Sequence, residues 1–237
     1  MLLGLRTVGS ALAQLLTHVT ASLLANLLAT ALCVPLIVAV GALAYGTRSF
    51  SLVPLGVALL VGVLPNPCAA GVQVVAYEHA AGGYMTFREH WEGFRRFARP
   101  ASVAWLASLV VTAVLLANLA FYAHAVGSAT GVLGTLAMPL FLIWVSIFVY
   151  WLAVHLFVYP LILRQEENNI RLVYRNACLM AIARPSVLAV VVPIWLGVLL
   201  LSSTTGLVTF IGLTLAASIQ HNATAKLLPT FKLRPAA

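Results

Sequence analysis

The sequence predicts an all-helical, polytopic membrane protein with about six transmembrane helices and two cytoplasmic amphipathic helices. Three observations carry that prediction. Hydrophobic residues make up 62% of the chain, charged residues only 8%, and mean hydropathy is +1.05, whereas soluble domains carry about 25% charged residues. Charge is also confined: Thr7–Thr47, Ser49–Tyr77, Pro100–Leu163 and Pro185–Ala225 contain no Asp, Glu, Lys or Arg. These runs are continuously apolar rather than alternating, which selects helices over a barrel, because lipid offers the backbone no hydrogen-bond partners. The net charge of +8 then reads as basic residues at helix ends and not as a nucleic-acid surface.

The whole chain, residues 1–237, reads as a single integral membrane domain. Residues 1–20 carry Leu12, Leu15, Leu16 and Val19 at helical spacing, as an interfacial helix does. Spans follow at Ala21–Tyr45, Val53–Val75, Ala101–Ala123, Val132–Leu163, Ser186–Leu201 and Leu207–Ile219. The fourth is long for a bilayer, which predicts tilt or entry by a loop as far as Pro139. Ser202-Ser203-Thr204-Thr205-Gly206 reads as a turn between the last two spans. Residues 220–237 are read as a tail.

Orientation follows from the basic residues. With both termini inside, twelve of the thirteen Lys and Arg lie on the cytoplasmic side and Arg48 alone lies outside, so the positive-inside rule gives N-in, C-in. An N-terminal signal ending at Ala42-Leu43-Ala44 is disfavoured, because the apolar run before it exceeds the usual ~7–15 residues.

Two charged cytoplasmic loops, 76–99 and 164–184, share a design. In the first, Thr86 and Glu89 form a capping box. Phe87, Trp91 and Phe94 then share one helical face, and Arg88, Glu92, Arg95 and Arg99 share another. This predicts an interfacial helix with Phe87, Trp91 and Phe94 mostly buried against spans or lipid and the arginines toward lipid phosphates. Glu92 is placed to pair with Arg88, Arg95 or Arg96. In the second loop, Asn168 or Asn169 is an N-cap, Arg171 and Arg175 sit one turn apart, and Ile170, Val173, Tyr174 and Ala177 make the apolar side. Both helices lead into a span through Ala-Arg-Pro, at Ala98–Pro100 and Ala183–Pro185, an arrangement consistent with an internal repeat or with convergent membrane-entry chemistry. Arg88, Glu89, Trp91, Glu92, Arg95, Arg96, Arg171 and Arg175 are therefore the candidate contacts with lipid or a cytoplasmic partner.

Inside the membrane the polar candidates are Gln73, Asn118 and His155. An ionisable residue at such depth is a functional candidate, and the competing reading of His155 is a neutral imidazole bonded to a neighbouring helix. His18, His124 and His221 fall near predicted span ends and are expected to face water or headgroups. Cys33, Cys68 and Cys178 lack metal-ligand spacing and read as packing residues. No phosphate-binding loop, H-E-x-x-H or G-x-S-x-G occurs, all five acids (Glu78, Glu89, Glu92, Glu166 and Glu167) lie in the charged loops, and no metal or cofactor is expected. The chain therefore reads as a non-enzyme.

Several blocks together resemble a family. They are Asn26-Leu27-Leu28, Pro65-Asn66-Pro67-Cys68-Ala69-Ala70, Thr86 through Phe97 with its Phe-x-x-x-Trp-x-Gly-Phe core, Asn118-Leu119-Ala120-Phe121-Tyr122, and Tyr159-Pro160-Leu161 followed by Ala183-Arg184-Pro185. Their order over Ala21–Leu201 is similar to the YesL-like family of bacterial integral membrane proteins (domain of unknown function 624). At Pro65–Ala70 the chain departs from the Gly-Pro-Ala-Thr run more usual there. The resemblance implies the bacterial cytoplasmic (inner) membrane and an accessory or regulatory part in carbohydrate transport, with membrane lipids, a sugar-transport complex or another copy of the chain as partners. The alternative is a transporter or ABC permease-like subunit in its own right. Glu78-His79-Ala80-Ala81-Gly82 is similar to the start of the motif by which permeases engage ATPases, although the later glycine and Leu-Pro of that motif are missing.

Overall fold

The computed structural model describes residues 2–47, 56–83, 87–128, 130–165, 169–205 and 211–228. Among these, every regular element is a helix. In chain order they are α1 (Leu2–Thr17), α2 (Val19–Thr47), a π-helical stretch (Ala58–Val63), a 3₁₀ turn (Pro67–Ala69), α3 (Ala70–Ala80), α4 (Phe87–Ser128), α5 (Gly131–Arg164), α6 (Ile170–Ala183), α7 (Pro185–Thr205) and α8 (Gly212–Leu227). Four helices are long and apolar enough to cross a membrane: Val19–Ala42, Arg88–Ser128, Gly134–Arg164 and Pro185–Thr205.

The second expected span, Val53–Val75, is not one helix over its described part. Pro65 and Pro67 push Leu64 (ψ 150°) and Asn66 (ψ 127°) into extended backbone, as a residue preceding proline prefers. Irregular backbone inside an apolar bundle survives only where its polar groups are recaptured. Here Asn66 Nδ2 donates to Leu60 O (3.2 Å), Trp105 Nε1 donates to the same carbonyl (3.3 Å), and Tyr159 OH donates to Asn66 O (2.6 Å). Asn66 Oδ1 accepts from Cys68 N–H at 2.8 Å and opens the 3₁₀ turn that leads into α3.

The sixth expected span also differs. α8 begins at Gly212, runs past Ile219 to Leu227, and is buried along almost its whole length. Gln220–Leu227 therefore belong to the core and not to a tail. Thr214, Ser218, Gln220, His221, Asn222 and Thr224 give this helix polar groups over more than half of its circumference, which lipid would not accommodate. Protein encloses it instead: α1, α2, α3, α5 and α7 all pack on it. α1 runs antiparallel to it, with Lys226 Nζ donating to Ser10 Oγ (3.2 Å) and Asn222 Nδ2 to Gln14 Oε1 (2.7 Å). Asn26 of α2 then caps the α8 N-terminus from outside, its Oδ1 accepting the amides of Leu213 (3.0 Å) and Thr214 (3.2 Å). α1 is thus a packed element: Thr7, Ala11 and Leu15 are buried, while Leu12 and Leu16 face outward.

The two Ala-Arg-Pro triplets do different things. α4 passes straight through Pro100 for 42 residues, about 63 Å at ~1.5 Å per residue, twice the hydrocarbon core. Arg184, by contrast, leaves helical geometry (φ −139°, ψ 62°) and separates α6 from α7. α5 is likewise continuous through Pro139 to Gly131 (φ +67°), so no loop enters there. Ser203 and Thr205 lie in α7, each hydroxyl bonded back to a preceding carbonyl. Gly206, Thr86 and residues 229–237 fall outside the described residues.

Candidate functional site

Two regions collect chemistry. The first is a buried polar seam across five helices. Gln73 of α3 donates from Nε2 to Gln220 Oε1 (2.7 Å) and accepts at Oε1 from His221 Nε2 (3.0 Å). Gln220 Nε2 donates to His155 O (3.1 Å), which carries the seam from α8 to α5. His155 places Nδ1 on Trp151 O and Nε2 on Ser108 Oγ, both at 2.9 Å. A carbonyl can only accept, so Nδ1 bears the proton and Nε2 receives the Ser108 hydroxyl. Tyr174 of α6 completes the path, touching Ser108 Oγ at 2.5 Å and donating to Ala104 O at 2.9 Å. Trp151 covers this end, stacked on Tyr174 (5.8 Å) and bonded to Thr112 (2.9 Å).

The Ser108–His155 contact supplies the hydroxyl–imidazole pair that sequence motifs did not reveal. Its spacing suits nucleophile activation. Its surroundings do not: Ser108 and His155 are 0% and 1% exposed, so a substrate carbonyl has no approach. The cavity beside the seam touches Gln73, Tyr159 and Gln220 instead. At about 10 Å³ it is close to the smallest space that holds one water.

The second region is a groove where the charged ends meet. α3 and α4 approach closely because two glycines permit it: a Cβ at Gly71 would come within 2.4 Å of the His90 ring, and one at Gly93 within 2.9 Å of Val74. Alongside runs a groove of about 380 Å³ lined by Tyr77, Glu78, Glu89, Glu92, Arg96, Phe97 and Leu163 among others. Three of the chain's five acids thus face one concavity. Glu92 is held by Arg88 at 2.8 Å, both side chains well exposed, so this pair adds little stability. Arg164 lies over the Tyr77 ring at 5.5 Å.

Nearby, His79 stacks on His18 with ring centroids 4.1 Å apart. Neither ring nitrogen of His79 has a hydrogen-bond partner. Burial, and then the neighbouring His18, pull its pKa from 6.5 down to about 4.

Protein covers the aromatic face of α4 only in part: Phe94 is half-buried against Ala70, Ala101 and Tyr159. Trp91 is 44% exposed and stacks on Phe94 at 5.3 Å, and the Phe87 side chain lies outside the described residues. The inward stripe is His90, Gly93, Phe97, Ala101, Ala104 and Ser108, one helical step away. Small residues at Gly93 and Ala101 let the backbones close there, and Trp91 is left at the rim. Arg95, Arg96, Arg171 and Arg175 are exposed, as is Glu89. Asn169 caps α6 as expected, its Oδ1 accepting from Leu172 N–H.

Of the intramembrane candidates, Gln73 and His155 join one network, whereas Asn118 bonds only its own helix, at Val114 O. His221 is fully buried, against expectation, whereas His18 is half-buried against His79 and His124 is exposed. Gln220, Ser108 and Tyr174 were the members that sequence reasoning missed. A lone glutamine at position 73 in an apolar run was the available signal that a partner elsewhere must exist. No family model, curated protein or solved structure matches the chain.

Proposed function

We propose that this chain is a non-catalytic inner-membrane protein, with both termini cytoplasmic, that serves a carbohydrate-transport assembly by contacting it through the exposed start of α4. The observation carrying this reading is the exposed Trp91, stacked on half-buried Phe94 beside the acid-lined groove and flanked by Arg88, Arg95 and Arg96. Exposed aromatic and arginine side chains in one patch are the composition of interaction anchors. The six-span topology contributes through the charge count, with α3 and α8 as the interior elements of the second and sixth passes. The sugar assignment rests on the family resemblance alone.

The test is a photo-crosslinking residue at position 95, with the protein at native abundance in intact membranes. Crosslinks to a transport component support the reading; crosslinks confined to lipid or to a second copy sink it. Topology is checked separately. Ser128→Cys should label from outside and Arg96→Cys only from inside.

A transporter is the second reading, favoured by the polar seam from His221 to Tyr174. Reconstituted protein that moves a sugar unaided, and stops when Gln220→Leu is introduced without unfolding, would replace the accessory reading.

A further inference from the structure

Cys33 lies mid-way along α2 and Cys68 in the 3₁₀ turn beyond the proline break, so nothing in their sequence spacing pairs them. The fold does. The two side chains meet at Asn66, close enough for each thiol to act on the other. Asn66 holds both: its Nδ2 faces Cys33 Sγ at 3.7 Å while its Oδ1 fixes the Cys68 amide at 2.8 Å. Cys68 Sγ also reaches the carbonyl of Leu32, next to Cys33, at 3.4 Å. Both sulfurs are free thiols, Cys33 fully buried and Cys68 partly exposed.

We propose that Cys33 and Cys68 are a built dithiol that closes to an intramolecular disulfide by exchange with a low-molecular-weight disulfide. Cys68 is the entry point because it alone is accessible. Its thiolate, formed by loss of the thiol proton, attacks one sulfur of the small disulfide and releases the other half as a thiol. Cys33 then loses its proton and attacks Cys68 Sγ, releasing the second half. Two protein thiols are oxidised by two electrons, and one small disulfide is reduced to two small thiols that carry away both protons. The new bond ties α2 to the turn, and through the Tyr159–Asn66 hydrogen bond it bears on α5. The site is a thiol–disulfide latch on the broken helix.

The experiment uses full-length Cys178→Ser protein in mild detergent and 4,4′-dithiodipyridine as the disulfide. Expected are two released thiopyridones per chain, a linked Cys33–Cys68 peptide pair, and no retained pyridyl group. Cys33→Ser should release one thiopyridone and keep one adduct on Cys68, and Cys68→Ser should release none. A stable adduct on Cys68 with Cys33 intact would overturn the proposal, as would no release from the dithiol protein. Phenylarsine oxide, which bridges adjacent thiols, gives an independent measurement. Prior treatment should block release, and unblocked release would show that the sulfurs are not neighbours.

Discussion

Replacing Gln73 by Leu isolates what the polar seam contributes. Leucine is close to isosteric and apolar, so packing is nearly conserved while two hydrogen bonds disappear. Gln220 Oε1 loses its donor and His221 Nε2 loses its acceptor, both in residues no more than 1% exposed. An orphaned buried polar group costs about 1–3 kcal/mol, whereas hydrogen bonds within membrane bundles average ~0.6 kcal/mol by double-mutant cycles. The two bonds therefore set a floor of about 1 kcal/mol, and desolvation raises the expectation to roughly 2–4 kcal/mol. For a chain of this size that lowers Tm by roughly 5–15 °C. The assay is thermal unfolding in detergent, followed by tryptophan fluorescence. Asn118→Leu is the control, since its amide bonds only within its own helix, and its Tm should stay within about 2 °C. The double variant Gln73→Leu/His221→Leu should lose less than the sum of the singles, because the orphaned imidazole goes with its partner. A Gln73→Leu protein melting within about 2 °C of wild type would refute the claim that the seam stabilises the bundle.

Three further outcomes are expected. Trp91→Ala should cost under about 1.5 kcal/mol, not the ~3–5 kcal/mol of a buried ring, and should instead weaken partner crosslinking from position 95. Gly71→Ala should destabilise by about 1–3 kcal/mol through overpacking against His90, and His90→Ala in the same protein should recover part of the loss; an additive double variant would place the clash elsewhere. The folded pKa of His79 is depressed to about 4, so the unfolded chain binds the proton first. Its contribution, up to roughly 3 kcal/mol, is complete above about pH 6.5 and lost as pH falls toward about 4, and His79→Gln should flatten the Tm–pH curve over that window.

Hydropathy reveals the long helices because α2, α4, α5 and α7 face an apolar exterior along much of their length. Val110, Val114, Leu142 and Ile143 stay exposed in the folded chain, so their character reports environment directly. It fails where residues face protein. Proline is tolerated in membrane helices when neighbours re-satisfy the backbone, so Pro65 and Pro67 alone do not mark a break; the partners Trp105 and Tyr159 that make it affordable come from distant helices. Gln220, His221 and Asn222 have the same letters whether they meet water or glutamine, which is why α8 reads as a tail. The place of Trp91 at the rim has a third origin. Helical periodicity groups Trp91 with Phe94, but it cannot say that Gly71 and Gly93 have brought α3 onto the adjacent stripe. The charged candidates are legible as exposed residues, and the dithiol is not legible at all.

The position of α8 at the centre of the bundle has a consequence for biogenesis. It is the final described element, yet α1, α2, α3, α5 and α7 close around it. During synthesis every helix that will surround it emerges first. Until residues 212–227 leave the ribosome, Asn26, Gln73 and the His155 carbonyl lack their α8 partners. The last segment therefore enters as a keystone that supplies these partners. A chain stopped short of Gly212 would present these unsatisfied groups to quality-control proteases, so truncation at this end should cut steady-state abundance more sharply than the small number of missing residues suggests.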